Sequence, residues 1–291
     1  MLDLTIAIPV KNAIGHLEGC LDSIPKGFAT KIVVIDSGST DGTREVALKR
    51  GVEVIDFEWD GKFPKKRNWF LRAYPPTTCW VLFLDSDEIL TTRFRHEISR
   101  VLPVSNKSGY WLNYTIHFLG KPLRGGYPLK KLALFRVGAG EYERIEEDRW
   151  STLDMEVHEH PVLTGEVGEI RTPIDHRETT GIRAFVAKHN EYSSWEASRI
   201  HASESATSKR ARWTWKQRTK SLIVRTPLCG PFYFLGSYLL MGGFLDGSRG
   251  FLFALLKGAY FTEVHCKLRE LKEDRHQSLQ STCCNGEVAA E

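Results

Sequence analysis

What the chain lacks narrows it first. Its 291 residues hold six cysteines, at 20, 79, 229, 266, 283 and 284, and no two of them form a CxxC pair. No histidine cluster completes a ligand pattern beside them, which excludes a closed zinc site. Scattered cysteines among mostly apolar neighbours fit a reducing compartment. A surplus of one charge is also missing: 40 Lys and Arg stand against 36 Asp and Glu, net +4. That is too mild to argue for a nucleic-acid partner, and none is expected. The start, MLDLTIAIPVKN, has no positive n-region and no small-residue cleavage site, so the expectation is a chain without a signal peptide that stays in the cytoplasm. There is no internal repeat and no low-complexity segment. Hydrophobic residues at 42% and charged residues at 26% leave an ordinary globular protein with one large domain or two small ones.

The first third alternates two periods. Leu4 to Val10, Lys31 to Ile35, Val52 to Phe57 and Trp80 to Leu84 are short apolar, β-branched or aromatic runs, as strands buried on both faces should be. Between them, Ala13 to Ser23, Thr43 to Arg50 and Lys65 to Ala73 read as helices, the second closed by Gly51. The order β-α-β-α-β-α-β predicts right-handed crossovers and a mostly parallel, Rossmann-like α/β sheet. From Gly109 to Arg171 helical periodicity weakens, and strands such as Tyr110 to Phe118 and Leu132 to Val137 alternate with turns. A helix resumes over Ala184 to Ala202. Between Glu204 and Asp246 no acidic residue occurs. Lys209, Arg210, Arg212, Lys216, Arg218, Lys220 and Arg225 come first, interleaved with Trp213 and Trp215, and Thr226 to Leu245 then carries no charge. The expected organisation is an α/β domain over 1–203, with halves over 1–105 and 106–203. A basic and apolar helical region (204–272) and a flexible tail (273–291) follow.

Four segments could carry chemistry. In VIDSGSTDGT, Asp36 ends a buried strand, the edge at which open parallel sheets bind ligands, and could accept hydrogen bonds from a uracil or ribose. Asp41 in the same segment suits a helix cap. In FLDSDE, Asp85 and Asp87 follow the fourth strand. Clustered carboxylates repel unless a proton or cation joins them, and Mg²⁺ or Mn²⁺ prefers such hard oxygens while bridging to phosphates. In GKFPKKRNW, Lys65, Lys66 and Arg67 open a helix, where the dipole also favours an anion such as a diphosphate. In MEVHEHP, alternation separates Glu156, His158 and His160 from Val157 and Glu159, and a carboxylate here could serve as a general base.

IAIPVKN, VIDSGSTDGT, KKRN and FLDSDE, in this order and spacing, resemble the family 2 glycosyltransferases of the GT-A fold. NYTIHFLGKPLRGG, KLALFRVGAGEYE, VHEHPVLTGEVGEI, IDHRETTG, KHNEYSSWEA and GFLDGSRGF are similar to the branch containing lipopolysaccharide-core β-glucosyltransferases, so the resemblance covers roughly residues 4 to 270. It implies a GT-A catalytic domain with a helical, apolar C-terminal region. It also implies a metal-dependent hexosyltransferase using a nucleotide-sugar donor, UDP-glucose first, and a glycan or lipid-linked acceptor of cell-surface polysaccharide or lipopolysaccharide. By the same resemblance Pro9 lines the nucleotide pocket and Asp36 binds base or ribose. Lys66 and Arg67 face the diphosphate, Asp85 the ribose or metal, and Gly125 and Gly126 form a loop near donor and acceptor. Asp87 and His176 are implied as metal ligands and Glu159 as catalytic base. Many relatives place a Glu-Asp pair where this chain has His158-Glu159, so Glu156 and Asp154 remain rival bases.

The implied reaction is an inverting displacement, in which the base takes a proton from the acceptor hydroxyl as it attacks the anomeric carbon. It needs no nucleophilic Ser or Cys. A nucleotidyltransferase would open with a glycine-rich phosphate loop, whereas PVKNAIGH is poor in glycine. A non-catalytic, membrane-associated scaffold would account for the basic, Trp-bearing stretch but not for two carboxylate motifs at strand ends. Glycines and prolines interrupt Thr226 to Leu245, and cations precede it. This predicts peripheral attachment to an anionic inner membrane face ahead of a transmembrane span.

Overall fold

The computed structural model describes residues 1–144, 154, 160–177, 181–205 and 222–287. Two compact units emerge: Met1–Leu123 with Pro128–Thr180, and Arg124–Tyr127 with Gly181–Glu291.

The first unit is built on a mixed sheet in the order β3-β2-β1-β4-β8-β6-β11-β5, with β7 paired to β6. The strands β1 (Leu2–Val10), β2 (Ala29–Asp36), β3 (Glu53–Asp56) and β4 (Trp80–Phe83) run parallel, as their apolar runs predict. The helices between them are α1 (Ile14–Asp22), α2 (Thr43–Lys49) and α3 (Lys66–Ala73). After β4 come β5 (Glu88–Ile89), α4 (Thr92–Val101), β6 (Gly109–Phe118), β7 (Lys121–Pro122) and β8 (Leu129–Arg136). The strand β8 enters antiparallel between β4 and β6, and β11 (Val167–Arg177) pairs parallel with β6 and antiparallel with β5. A separate ribbon joins β9 (Gly140–Tyr142) to β10 (Pro161–Leu163).

Alternation along the strands divides the core in two. Leu4, Ile6, Ile8, Leu82 and Leu84 face one side, where Leu17 and Leu21 of α1 and Phe94 and Ile98 of α4 cover them. Ala7, Val33, Ile35, Val81 and Phe83 face the other, against Phe70 of α3. Thr91 caps α4, its Oγ1 accepting from the Phe94 N–H at 3.1 Å. Asp41 does more than cap the next helix, since its carboxylate accepts from the Thr43 N–H at 3.0 Å and from the Ile14 N–H at 3.1 Å. It thereby satisfies the opening turns of both α1 and α2.

The second unit is helical: α5 (Gly181–Ser205), α6 (Cys229–Leu235), a π turn (Gly236–Leu240), a 3-10 turn (Gly243–Asp246) and α7 (Gly247–Glu287). Ala197, Ile200, Val224, Cys229, Phe261, Val264 and Leu268 form its core. Helices α6 and α7 cross closely at Gly230 and Gly258. A Cβ on Gly230 would stand 2.6 Å from the Gly258 carbonyl oxygen, so the crossing requires glycine there. The uncharged Thr226–Leu245 stretch is divided into the short helix α6, a π turn and a 3-10 turn. No single helix among the described residues is long and apolar enough to cross a membrane; Cys229–Leu240 and Gly243–Asp274 meet that test only as a pair bent by 73°. Large apolar side chains stand exposed along this segment, among them Phe232, Leu235, Leu239, Leu240, Phe244 and Leu245. Trp213, Trp215 and the cations from Lys209 to Lys220 lie outside the described residues.

Candidate active site

The carboxyl ends of β2, β1 and β4 lie side by side. Asp36, closing β2, is 2% exposed, and its carboxylate accepts from the Ser39 N–H at 3.1 Å and the Ser39 hydroxyl at 2.5 Å. One strand away, at the end of β1, the Val10 carbonyl accepts from the Lys66 ammonium at 3.1 Å. Pro9 precedes it, in register with Ile35. Lys66 is 2% exposed and pairs with Asp154 at 3.2 Å. Burial lowers the Lys66 ammonium against the pull of Asp154. Burial acts to raise Asp154, and Lys66 and the Ser37 hydroxyl more than offset it. The KKR run is therefore no solvated turn: Lys65, Lys66 and Arg67 are all buried.

Two strand spacings from Asp36, about 10 Å across the sheet, the segment after β4 gathers the acidic residues. Both oxygens of Asp85 are engaged, by Arg67 at 2.7 Å and by Lys131 at 2.6 Å. Lys131 comes from β8 and also meets Glu88 at 2.5 Å. Burial acts to raise Asp85, but the two cations hold its carboxyl well below the usual range. Glu88, 1% exposed, accepts from the Asp85 N–H at 3.0 Å. Burial pushes Glu88 up to about 8, with Asp85 and Asp87 adding to the rise against the pull of Lys131.

The short pairing of β5 with β11 places His176 opposite Glu88. His176 Nδ1 lies 3.5 Å from an Asp87 oxygen and 3.9 Å from a Glu88 oxygen. The ligand atoms of Asp87, Glu88 and His176 all fall within 4.8 Å of one another. Two carboxylates and an imidazole form a hard donor set suited to Mg²⁺ or Mn²⁺. Glu88, held in its acid form by burial and then by the like charges of Asp85 and Asp87, is the group a dication would ionise.

Of the residues singled out from sequence, the fold gathers Arg67, Asp85, Asp87 and His176 at one point, with Pro9, Asp36 and Lys66 along the same edge of the sheet. Glu159, with Glu156 and His158, lies outside the described residues; the rival base Asp154 is described and salt-bridged to Lys66. Gly125 and Gly126 belong to the second unit. There the Gly126 N–H donates to the Met241 carbonyl at 2.8 Å, and a Cβ on Gly125 would stand 2.4 Å from the Gly242 carbonyl oxygen. Sequence reasoning missed two members of the cluster. Glu88 was visible as the last letter of FLDSDE. Lys131 had no signal of its own, because only the antiparallel insertion of β8 brings it to Asp85.

Residues 5–122 match the model of the family Glycosyl transferase family 2. The sheet, the carboxylate edge and this match support a metal-dependent glycosyltransferase with a GT-A-type sheet. The chain is 27% identical over 286 residues to the lipopolysaccharide core biosynthesis glycosyltransferase LpsC of Rhizobium meliloti, covering 91% of this chain and 93% of that protein. An uncharacterized glycosyltransferase of Rickettsia bellii is 25% identical over 274 residues, covering 91% and 85%. Among solved structures, glucosyl-3-phosphoglycerate synthase of Mycobacterium tuberculosis with Mn²⁺, UDP and glucosyl-3-phosphoglycerate is 25% identical, with a TM-score of 0.32. That likeness spans 39% of this chain and 44% of the synthase.

Proposed function

We propose that this enzyme transfers a hexose, with inversion, from a nucleotide-sugar donor to a glycan or lipid-linked acceptor in lipopolysaccharide-core or related surface-polysaccharide synthesis. The observation that carries the reading is the Asp87–Glu88–His176 cluster beside Arg67 and Lys131, at the ligand-binding edge of the sheet. The near-full-length similarity to LpsC supports the pathway.

In this reading Asp36 and the Pro9 strand end take the base and ribose, and Asp85, held ionised by its two cations, takes the ribose or borders the metal. Lys66 and Arg67 stand toward the diphosphate, and the Gly125–Gly126 turn serves donor and acceptor. Asp87, Glu88 and His176 would hold a divalent cation, which supplies charge neutralisation for the leaving diphosphate. Glu159 is the proposed base. It removes the proton from the attacking hydroxyl, a contribution of about 10²–10⁴ in rate. UDP-glucose is the first donor to test.

The decisive experiment is a donor-hydrolysis screen across nucleotide sugars with Mn²⁺ and Mg²⁺, followed by NMR of the anomeric configuration of the product. Metal-dependent release of nucleotide from one donor, with inverted product, supports the reading. Absence of turnover with every donor and metal, or retention, overturns it. Glu159→Gln, Glu156→Gln and Asp154→Asn then separate the rival bases, since only the base variant keeps donor binding and loses turnover.

The helical unit supports a second part of the proposal, peripheral attachment to an anionic membrane surface on the cytoplasmic side. Its exposed leucines and phenylalanines between Leu222 and Leu255 form an apolar surface that a bilayer interface would cover. The cation-rich stretch before Leu222 would add attraction to anionic lipid. Salt or carbonate extraction from membranes tests it: release supports attachment, detergent-only release indicates a span, and a soluble full-length protein that ignores anionic vesicles overturns it.

A further inference from the structure

Helix α4 buries Phe94 and Ile98 and turns Arg93, His96 and Arg100 outward. Their spacing of i, i+3 and i+7 sets the three within an arc of about 60°. Glu97 stands among them but spends its carboxylate elsewhere, accepting from the Arg171 N–H at 3.1 Å and the Thr172 N–H at 2.8 Å. Those two N–H groups are available because the pairing of β11 with β6 shifts register between Ile170 and Ile174. Partial burial acts to raise Glu97, and the Thr172 hydroxyl, the two backbone N–H groups and the nearby Arg100 charge more than offset it, so the carboxylate is held below its ordinary value.

The irregularity in β11 thereby fixes Arg171 beside the cationic stripe, as bulges commonly re-aim a side chain. Arg93, His96, Glu97, Arg100, Arg171 and Thr172 line an open depression of about 430 Å³. Among the described residues, the side chains of Arg93, Arg100 and Arg171 have no hydrogen-bond partner and no close ion pair. Three converging guanidinium groups with one committed carboxylate leave a local surplus of positive charge. A planar fork of N–H donors fits phosphate oxygens bidentately, and a phosphate monoester has enough oxygens to meet more than one fork. A depression of this volume admits a phosphate with a sugar-sized group attached.

We propose that Arg93, His96, Arg100 and Arg171 form an anion site for a phosphate-bearing ligand, separate from the acidic cluster. Arg171 precedes the proposed metal ligand His176 by five residues on one strand, about 15 Å of extended chain. A ligand held here is therefore a different group from the donor diphosphate. Its phosphate comes either from a soluble phosphorylated saccharide or from an anionic lipid headgroup.

The test uses the full-length protein in metal-free buffer. Inorganic phosphate is titrated by calorimetry, and phosphatidylcholine vesicles with and without phosphatidylglycerol are assayed by co-sedimentation. Both assays compare wild type with Arg93→Gln/Arg100→Gln and with Arg171→Gln. These are exposed side chains, so the variants should melt as the wild type does. Loss of charge-assisted hydrogen bonds should weaken phosphate binding about tenfold or more in each variant, and salt should weaken the wild type. If phosphate binding falls while phosphatidylglycerol-dependent sedimentation holds, the ligand is soluble. If sedimentation falls as well, it is a headgroup. If wild type and both variants behave alike toward phosphate and toward vesicles, the site does not exist.

Discussion

The two units invert each other's chemistry. The sheet unit draws charge inward: Lys65, Lys66, Arg67, Asp36, Asp87 and Glu88 are all under a tenth exposed. The helical unit pushes hydrocarbon outward, with Leu240 at 88% and Leu245 at 58% exposed. Neither arrangement is stable for its own sake. Buried charge costs several kcal/mol per ion unless it is paired, and an exposed apolar surface is normally covered. In the sheet unit the compensation is largely internal, through Lys131, Arg67 and Lys66, with a donor set left over for a cation. In the helical unit nothing among the described residues covers Leu239, Leu240 or Phe244, which is why the compensation is sought in a lipid surface. Charge gathered inside marks the candidate site, and hydrocarbon left outside is the surface proposed to meet a membrane.

The sharpest break of this comparison is Asp87→Ala. Removing a metal ligand should lower transfer about a thousandfold or more, while the melting temperature in EDTA changes little. Near-normal turnover at limiting metal would show that the buried carboxylates are structural. Lys131→Met comes next. It strands Asp85 and Glu88 without their shared cation and should cost about 3 kcal/mol of stability, measured by denaturant unfolding in EDTA. Mn²⁺ should recover part of that loss, because a dication supplies the missing charge.

For the helical unit, Leu239→Asp/Leu240→Asp should weaken binding to anionic vesicles by about a hundredfold, from two lost apolar contacts of roughly 1.5 kcal/mol each. Hydrolysis of a soluble donor should be unaffected. A smaller effect follows from Glu88. Its acid form is favoured in the fold up to about pH 8, so metal binding there must release a proton. Mn²⁺ affinity should therefore rise with pH, by at most about tenfold per unit, and level off above pH 8. Calorimetry in buffers of different ionisation enthalpy checks the proton count. In the absence of metal the same raised value makes this residue's contribution to stability fall as pH climbs from its unfolded range toward 8. The smallest expected effect is Thr91→Ala, which removes the α4 cap at a cost of about 1 kcal/mol, read as a lowered melting temperature without loss of metal binding.

Much of the sheet unit was legible in the sequence because its strands are apolar on both faces and its turns are polar. VVID and WVLFLDSD read directly as buried strands ending in carboxylates. The basic run was legible as a helix start, but its burial was not. Three adjacent cations ordinarily stay in water, and only the carboxylates of Asp85 and Asp154, both distant in sequence, draw Lys66 and Arg67 inward. Lys131 was illegible for the same reason, since KKLALF looks like the solvated start of a strand until β8 is known to lie beside β4. The arginine depression depends on a register shift in β11, and no local pattern announces a shift.

The ligand set also has a chronology. Asp85, Asp87 and Glu88 leave the ribosome together, Lys131 follows 46 residues after Asp85, and His176 comes only with the last strand of the sheet. A nascent chain that ends with the family-matched stretch, at residue 122, holds three neighbouring carboxylates with neither Lys131 nor His176. Lys131 therefore becomes available to the carboxylates before His176 does. The donor set is complete only once the strand carrying His176 is paired with the strand carrying Glu88, so it belongs to the whole sheet and not to its first half.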